Sequence, residues 1–365
     1  MSLLSRVFSG AAAMALVTAR IASAADIYGL TEGNPGLKSA GPLAFGPDGV
    51  LFIGDTREAA VVAIQTGDKG GDKPSQRTID GINVEAAKLL GVDAAKLTIN
   101  DLAVNPKSGN VYLSVSAGGK PGLVKVDGAG TLSVVNLEKI PFSKSVLSNP
   151  PADGETGEGN RRRNPRNSSI TDLAFVDGQV IVSGLSKEGS AVRSFLFPFG
   201  QPDKEVDLEI YHGAHGRIES LSPILTFVPF VIDGQPQVLA GFQCTPLVRF
   251  PVKAVASGEK VKGTTVAELG NRNRPLDIIA YKKGGKDFLL VTNNSRGVMK
   301  VSTDDLERDA GITTPVTGGG TAGQKFETVA DLKDIVQLDK VDDSTAVVIV
   351  QAQGGPANLK TVELP

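Results

Sequence analysis

The stretch Ile99-Asn100-Asp101-Leu102-Ala103-Val104, Asn105-Pro106-Lys107-Ser108-Gly109-Asn110, Val111-Tyr112-Leu113-Ser114-Val115 decides the fold. Two short apolar runs flank a segment of Asn, Pro, Ser and Gly. That is the chemistry of two antiparallel strands joined by a tight turn. The plan recurs in Ile170-Thr171-Asp172-Leu173-Ala174-Phe175, Val176-Asp177-Gly178-Gln179, Val180-Ile181-Val182-Ser183-Gly184. Weaker copies start at Pro42, Ile218, Leu276 and Ile335, with turns at 46–49, 233–234, 284–285 and 342–344. The six starts lie roughly 50–70 residues apart, longer than the ~40–50 of compact propeller repeats.

The extra length has visible places to go. Residues 84–97 favour helix and interrupt the first unit, 144–168 form a polar, Pro- and Arg-rich surface excursion, and Gly318-Gly319-Gly320 marks a further loop. A β-sandwich with regular turns is the competing architecture. Six similar units without a domain linker favour radial closure instead. The expected fold is therefore all-β: a single β-propeller over 25–365 of about six blades, seven being the alternative count. The sequence leaves open whether a strand around Ile27 closes the ring on the last blade.

Composition agrees. The 43 glycines, the absence of tryptophan and the few helix-favouring runs suit short strands and tight turns. A net charge of −2 points to no nucleic-acid partner. Residues 1–24 read as a signal peptide: a short n-region with Arg6, an apolar run, and Ala22-Ser23-Ala24 as the cleavage pattern. Arg20 breaks this run too early for a membrane anchor. The expected location is periplasmic or secreted, with no membrane span. Cys244 is the only cysteine, so in an oxidising compartment it is a buried thiol, an intermolecular link or a ligand.

The repeat plan resembles six-bladed propellers of the SMP-30/gluconolactonase and NHL-like groups, and exported bacterial propellers without an assigned activity. The resemblance covers the mature chain and rests on strand rhythm; it carries no catalytic residue across.

In a propeller, the loop before a blade's first strand and the loop after its second meet at one mouth of the channel. In the fourth unit this places Tyr211-His212-Gly213-Ala214-His215-Gly216-Arg217 and Glu219 opposite Cys244-Thr245-Pro246. His212, His215 and Cys244, with Glu219, form a candidate set for zinc or copper. Gly213 and Gly216 equally fit an ordinary turn, and a lone cysteine is usually a small buried side chain. Copper on a Cys-His₂ set suits oxidation or electron transfer; zinc with an open position suits hydrolysis.

A second set shares that mouth. Asp101, Asp172 and Asp277 hold equivalent positions at the start of three inner strands, with Asn100, Thr171 and Glu219 near them and Asp55, Thr56, Asn293, Asn294 and Gln351 in facing loops. Such an acidic ring would take calcium through oxygen ligands, as the channel carboxylates and an Asn of lactonase-type propellers do. The alternative is that these acids bond backbone amides between blades.

The Arg161-Arg162-Arg163 run with Arg166 reads as a solvated loop, or as a partner for an anion. Arg249, Arg272, Arg274 and Arg296 lie near later blade edges. No Gly-x-Ser-x-Gly elbow, P-loop or dinucleotide fingerprint occurs.

The expected function is a module binding a small molecule or protein partner at a polar, metal-capable mouth. The alternative is a metal-dependent enzyme, a lactone or ester hydrolase or a copper oxidoreductase, with Glu219 or Asp172 as general base. A quinone-holding dehydrogenase rests on architecture alone.

Overall fold

The computed structural model describes residues 27–71, 76–159, 162–258, 260–307 and 310–365. The signal-peptide reading lies outside the described residues. Six sheets of four to six strands form the blades, antiparallel except where Val261–Lys262 pairs in parallel with Lys204–His212. Numbered by their inner strands in chain order, these are Leu43–Phe45, Leu97–Val104, Asp172–Val176, Ile224–Ile232, Pro275–Lys283 and Ile335–Lys340. The fold is the expected propeller. The second strand of each blade is an almost unbroken apolar run, such as Val50–Asp55, buried along its whole length. Only a strand covered on both faces reads that way.

The blades do not follow one another in chain order. Inner strands pack in the ring 1–3–4–5–6–2 and back to 1. Six hydrophobic clusters match that order, each wedged between two neighbouring blades. Val104, Leu102 and Val115 of blade 2 meet Val347 and Leu359 of blade 6, while Tyr112 and Leu123 of blade 2 meet Leu51 and Val62 of blade 1. After its third strand, Ala60–Gln65, the chain leaves blade 1. It adds Thr78–Ile79 to the outer edge of blade 6, builds blade 2, and returns to complete blade 1 with Ile140–Val146. Closure thus comes from Thr78–Ile79. The strand nearest Ile27, Thr31–Gly33, lies on the edge of blade 1.

Arg77 clasps the closure. Its backbone pairs with Thr361 of blade 6. Its buried guanidinium donates to the carbonyls of Gly109, Val126 and Asp127 in blade 2. Arg77→Met would strand these carbonyls, each loss costing about 1–3 kcal/mol. The variant is expected to unfold at lower urea concentration than the wild type; an unchanged midpoint would remove the clasp from the account.

The helix of the excursion runs Ile82–Leu90, followed by a 3₁₀ turn at Ala94–Lys96, and it leads into blade 2. The 144–168 excursion starts later than its composition suggests. Residues up to Val146 are the fourth strand of blade 1, a half-polar strand carrying Pro141. Among the described residues no helix is long and apolar enough to cross a membrane.

Candidate metal centre

The fourth strand of blade 3, Lys204–His212, alternates strictly in its second half. Val206, Leu208, Ile210 and His212 are buried, and Asp207, Glu209 and Tyr211 point outward. It overhangs its neighbour, folds back through a turn, and pairs with Arg217–Glu219 as a short outer hairpin. The inner strand of blade 4 therefore starts at Ile224, not Ile218. The histidine turn reaches the expected face of the disc, because fourth strands end on the face where second strands end. It stands at the rim, however, three strands outward from the channel. The period-2 pattern of 206–212 is the sequence signal for this placement.

At the rim the hairpin brings two of the expected ligands together with Glu219. His212 Nδ1 donates to Glu219 Oε2 at 2.9 Å, and His215 Nδ1 donates to Oε1 at 2.7 Å. Arg217 Nε adds a bond to Oε1 at 3.1 Å. The two imidazole rings lie 3.9 Å apart, centre to centre. One ligand atom from each of His212, His215 and Glu219 lies within 4.8 Å of the others. His212 is buried and its Nε2 has no partner; His215 is half-exposed. Burial lowers the His212 pKa, outweighing the bond to Glu219, so the ring is held neutral. Burial acts against ionisation of Glu219, but the bonds from His212, His215 and Arg217 hold its carboxyl at about 2.

Cys244 is not part of this group. It occupies the turn after the second strand of blade 4, as expected, in a left-handed conformation (φ 63°) with its N–H bonded to the Asn273 carbonyl. Among the described residues, the ligand atoms that gather within 4.8 Å come from His212, His215 and Glu219 alone. The donor set is nitrogen and oxygen, without sulfur.

A residue that the sequence did not single out completes the surroundings. Glu268, on the fourth strand of blade 4, is fully buried. Its Oε1 accepts the N–H of Gly213 at 2.5 Å and of Ala214 at 3.4 Å, the turn between the histidines. Its Oε2 has no partner. Burial pushes its carboxyl up to about 7. Segment 311–320 lies on the turn's other side, with Val316 N–H bonded to the Gly213 carbonyl. A Cβ at Gly213 would come within 2.8 Å of Val316 and 3.0 Å of Glu268 Oε1, so only glycine fits.

The acidic ring is present on the channel wall, in a cavity of about 420 Å³ shared by Asp101, Asp172, Asp277 and Asp339. Its oxygens serve the neighbouring blade. Asp101 accepts the N–H of Leu43, Asp172 that of Phe227, Asp277 that of Leu338 and Asp339 that of Val104, all at 2.7–2.8 Å. Asp172, Asp277 and Asp339 use their second oxygen on the amide following their own residue. Asn100 and Thr171 likewise bridge to Ala40 and Ile224 of the next blade. This is the inter-blade arrangement, not a set of free oxygens aimed at one cation. Asp172 lies on the innermost strand of its blade, away from the histidine hairpin. The facing-loop residues are engaged locally: Asp55 accepts from Lys38, Ser39 and Glu58, and Asn293 from Asn273.

The basic run is used within its own loop. Arg163 bridges Thr156 through the backbone, Arg162 pairs with Glu155, and Arg166 donates to the Pro151 carbonyl. Arg161 lies outside the described residues.

No family model matches the sequence, and no curated protein matches it. Solved structures are similar at low identity over most of the chain. A streptogramin B lyase is 11% identical, with 92% of this chain and 97% of that one covered and a TM-score of 0.34. The PQQ-bound aldose sugar dehydrogenase of Streptomyces coelicolor is 11% identical over 92% and 96%, with a TM-score of 0.35. The plexin A4 extracellular region is 10% identical over 92% and 47%, with a TM-score of 0.41. At such values these likenesses carry nothing about activity.

Proposed function

We propose that this protein is an exported binding propeller whose rim hairpin holds one divalent transition metal, on which a small molecule or protein partner docks. The observation that carries the reading is the convergence of His212, His215 and Glu219 to within 4.8 Å. Two imidazoles and one carboxylate favour zinc over calcium, which prefers all-oxygen shells. Copper of the Cys-His₂ type is not supported, because Cys244 stands apart. The buried, unpartnered Nε2 of His212 adds support, since such an atom otherwise loses a hydrogen bond without return. When bound, the metal supplies a Lewis-acid position; the hairpin supplies its ligands and keeps one side open at half-exposed His215.

Zinc titration followed by calorimetry is expected to show one site in the wild type and none in His215→Ala or His212→Ala. Equal zinc affinity in wild type and both variants would defeat the reading. A second reading, zinc-dependent ester or lactone hydrolysis, is favoured by the three-ligand set, which leaves a coordination position open. It requires turnover of such an ester that is lost in His215→Ala.

A further inference from the structure

We infer that Glu268 is the positioning residue of this centre: from the neighbouring blade it holds the Gly213–Ala214 turn so that both histidines face Glu219. The inference rests on reading the hairpin as a metal centre and adds the element that makes it a preformed one.

The hairpin alone does not fix its histidines. It overhangs blade 3, its return strand Arg217–Glu219 is only three residues long, and glycines flank Ala214 and His215 on both sides. Glycine-rich turns have access to more backbone conformations, and here the His215 N–H to His212 and Gly216 N–H to Gly213 carbonyl bonds, both at 3.1 Å, close the turn locally. Glu268 restrains it further, together with Val316, whose N–H bonds the Gly213 carbonyl. A single oxygen takes two consecutive N–H groups between the ligands, at 2.5 and 3.4 Å. A carboxyl oxygen can accept both amide bonds whether the group is ionised or protonated. Its own strand, Thr264–Leu269, is anchored in blade 4, where Glu268 pairs with Pro246 and Ala322. Thr265 Oγ1 on the same strand donates to the Tyr211 carbonyl, just before His212. The grip therefore acts on both sides of His212.

Glu268 bonds the turn through one oxygen alone. Here Oε2 is buried and bonds nothing, so the side chain is retained at a desolvation penalty. Groups that orient metal ligands through hydrogen bonds alter metal affinity about 10–100-fold when removed.

The test uses Glu268→Gln, which keeps the accepting oxygen, and Glu268→Ala, which does not. Cobalt(II) titration, followed by its visible spectrum, is expected to give near wild-type affinity for Glu268→Gln. Glu268→Ala is expected to lose affinity by about tenfold or more and to show an altered spectrum. Gly213→Ala, which pushes the turn away from Glu268 and Val316, should reproduce the Ala phenotype. In metal-free protein, ¹⁵N NMR of the only two histidines should show hydrogen-bonded Nδ1–H signals in wild type and Glu268→Gln, and their loss in Glu268→Ala. Unchanged histidine signals and unchanged cobalt affinity in a folded Glu268→Ala would overturn the inference. If the wild type binds no cobalt while the histidine signals still depend on Glu268, the metal reading fails and the positioning role stands.

Discussion

Arg193→Met is expected to cost about 3–5 kcal/mol of stability, the penalty of stranding buried partners of a lost charge. Arg193 sits on the third strand of blade 3 with its side chain wholly buried. Its guanidinium lies 2.6 Å from Glu205 and 3.6 Å from Asp203, and donates to the carbonyls of Asn149 and Leu185. Asp203 in turn accepts the Ser148 N–H, and Asn149 donates to Glu205. One cation thus ties the fourth strand, which ends in the histidine hairpin, and the start of the 147–164 loop to the body of the blade. Methionine fills much of the volume but leaves both carboxylates uncompensated. Adding Glu205→Gln and Asp203→Asn should recover part of the loss, because the remaining groups are then neutral. Urea unfolding of the three proteins measures this. A cost for Arg193→Met below about 1 kcal/mol, typical of an exposed pair, would contradict it.

Acidification from pH 8 to pH 5 is expected to raise the melting temperature, the reverse of common acid behaviour. Enclosure in the channel pushes Asp172 up to about 7 and Asp339 to about 6. Asp101 and Asp277 are raised as well, by burial and then by the charge of neighbouring ring acids. These side chains are only partly accessible, facing a channel cavity walled by Leu43, Phe175 and Phe227 and by the other acids. The raised direction therefore outweighs the bonds each carboxylate accepts. A group with a raised folded pKa contributes stability that is complete below its unfolded value, near 4, and is lost as pH rises through the folded value. Glu268 acts in the same direction. His212, lowered by burial, opposes it below about pH 6.5. Glu219, at about 2, is silent across this window. A net gain of 1 kcal/mol would appear as about 2–4 °C. Asp172→Asn and Asp339→Asn should each flatten the profile. A melting temperature that falls steadily from pH 8 to pH 5 would show that the ring acids stay ionised at no cost.

The blades were legible because each second strand is an apolar run bounded by turn residues, a local signal. Ring order was not legible: nothing in Thr78-Ile79 or Ile140–Val146 states which distant edge they join. Thr78–Ile79 is only two residues long and Ile140–Val146 is half-polar, so neither carries a local signal of its partner. The same limit displaced the candidate site. Reading Ile218 as the start of blade 4 carried His212 and His215 to the channel and toward Cys244. The alternation of 206–212 instead assigns them to an outer hairpin. The pairing of both imidazoles with Glu219 follows from that hairpin, whereas Glu268 comes from a blade 55 residues away from Gly213 and leaves no local trace. The ring acids Asp101, Asp172 and Asp277 were recognisable as equivalent positions; only the structure shows that their oxygens bind the next blade.

The central claim is that His212, His215 and Glu219 form one metal centre without Cys244. X-ray absorption at the zinc edge of the zinc-loaded protein tests it most directly. The predicted shell contains only nitrogen and oxygen at about 2.0–2.2 Å, with the outer-shell signature of two imidazoles. A zinc–sulfur distance of about 2.3 Å, or a shell lacking imidazole, would contradict it.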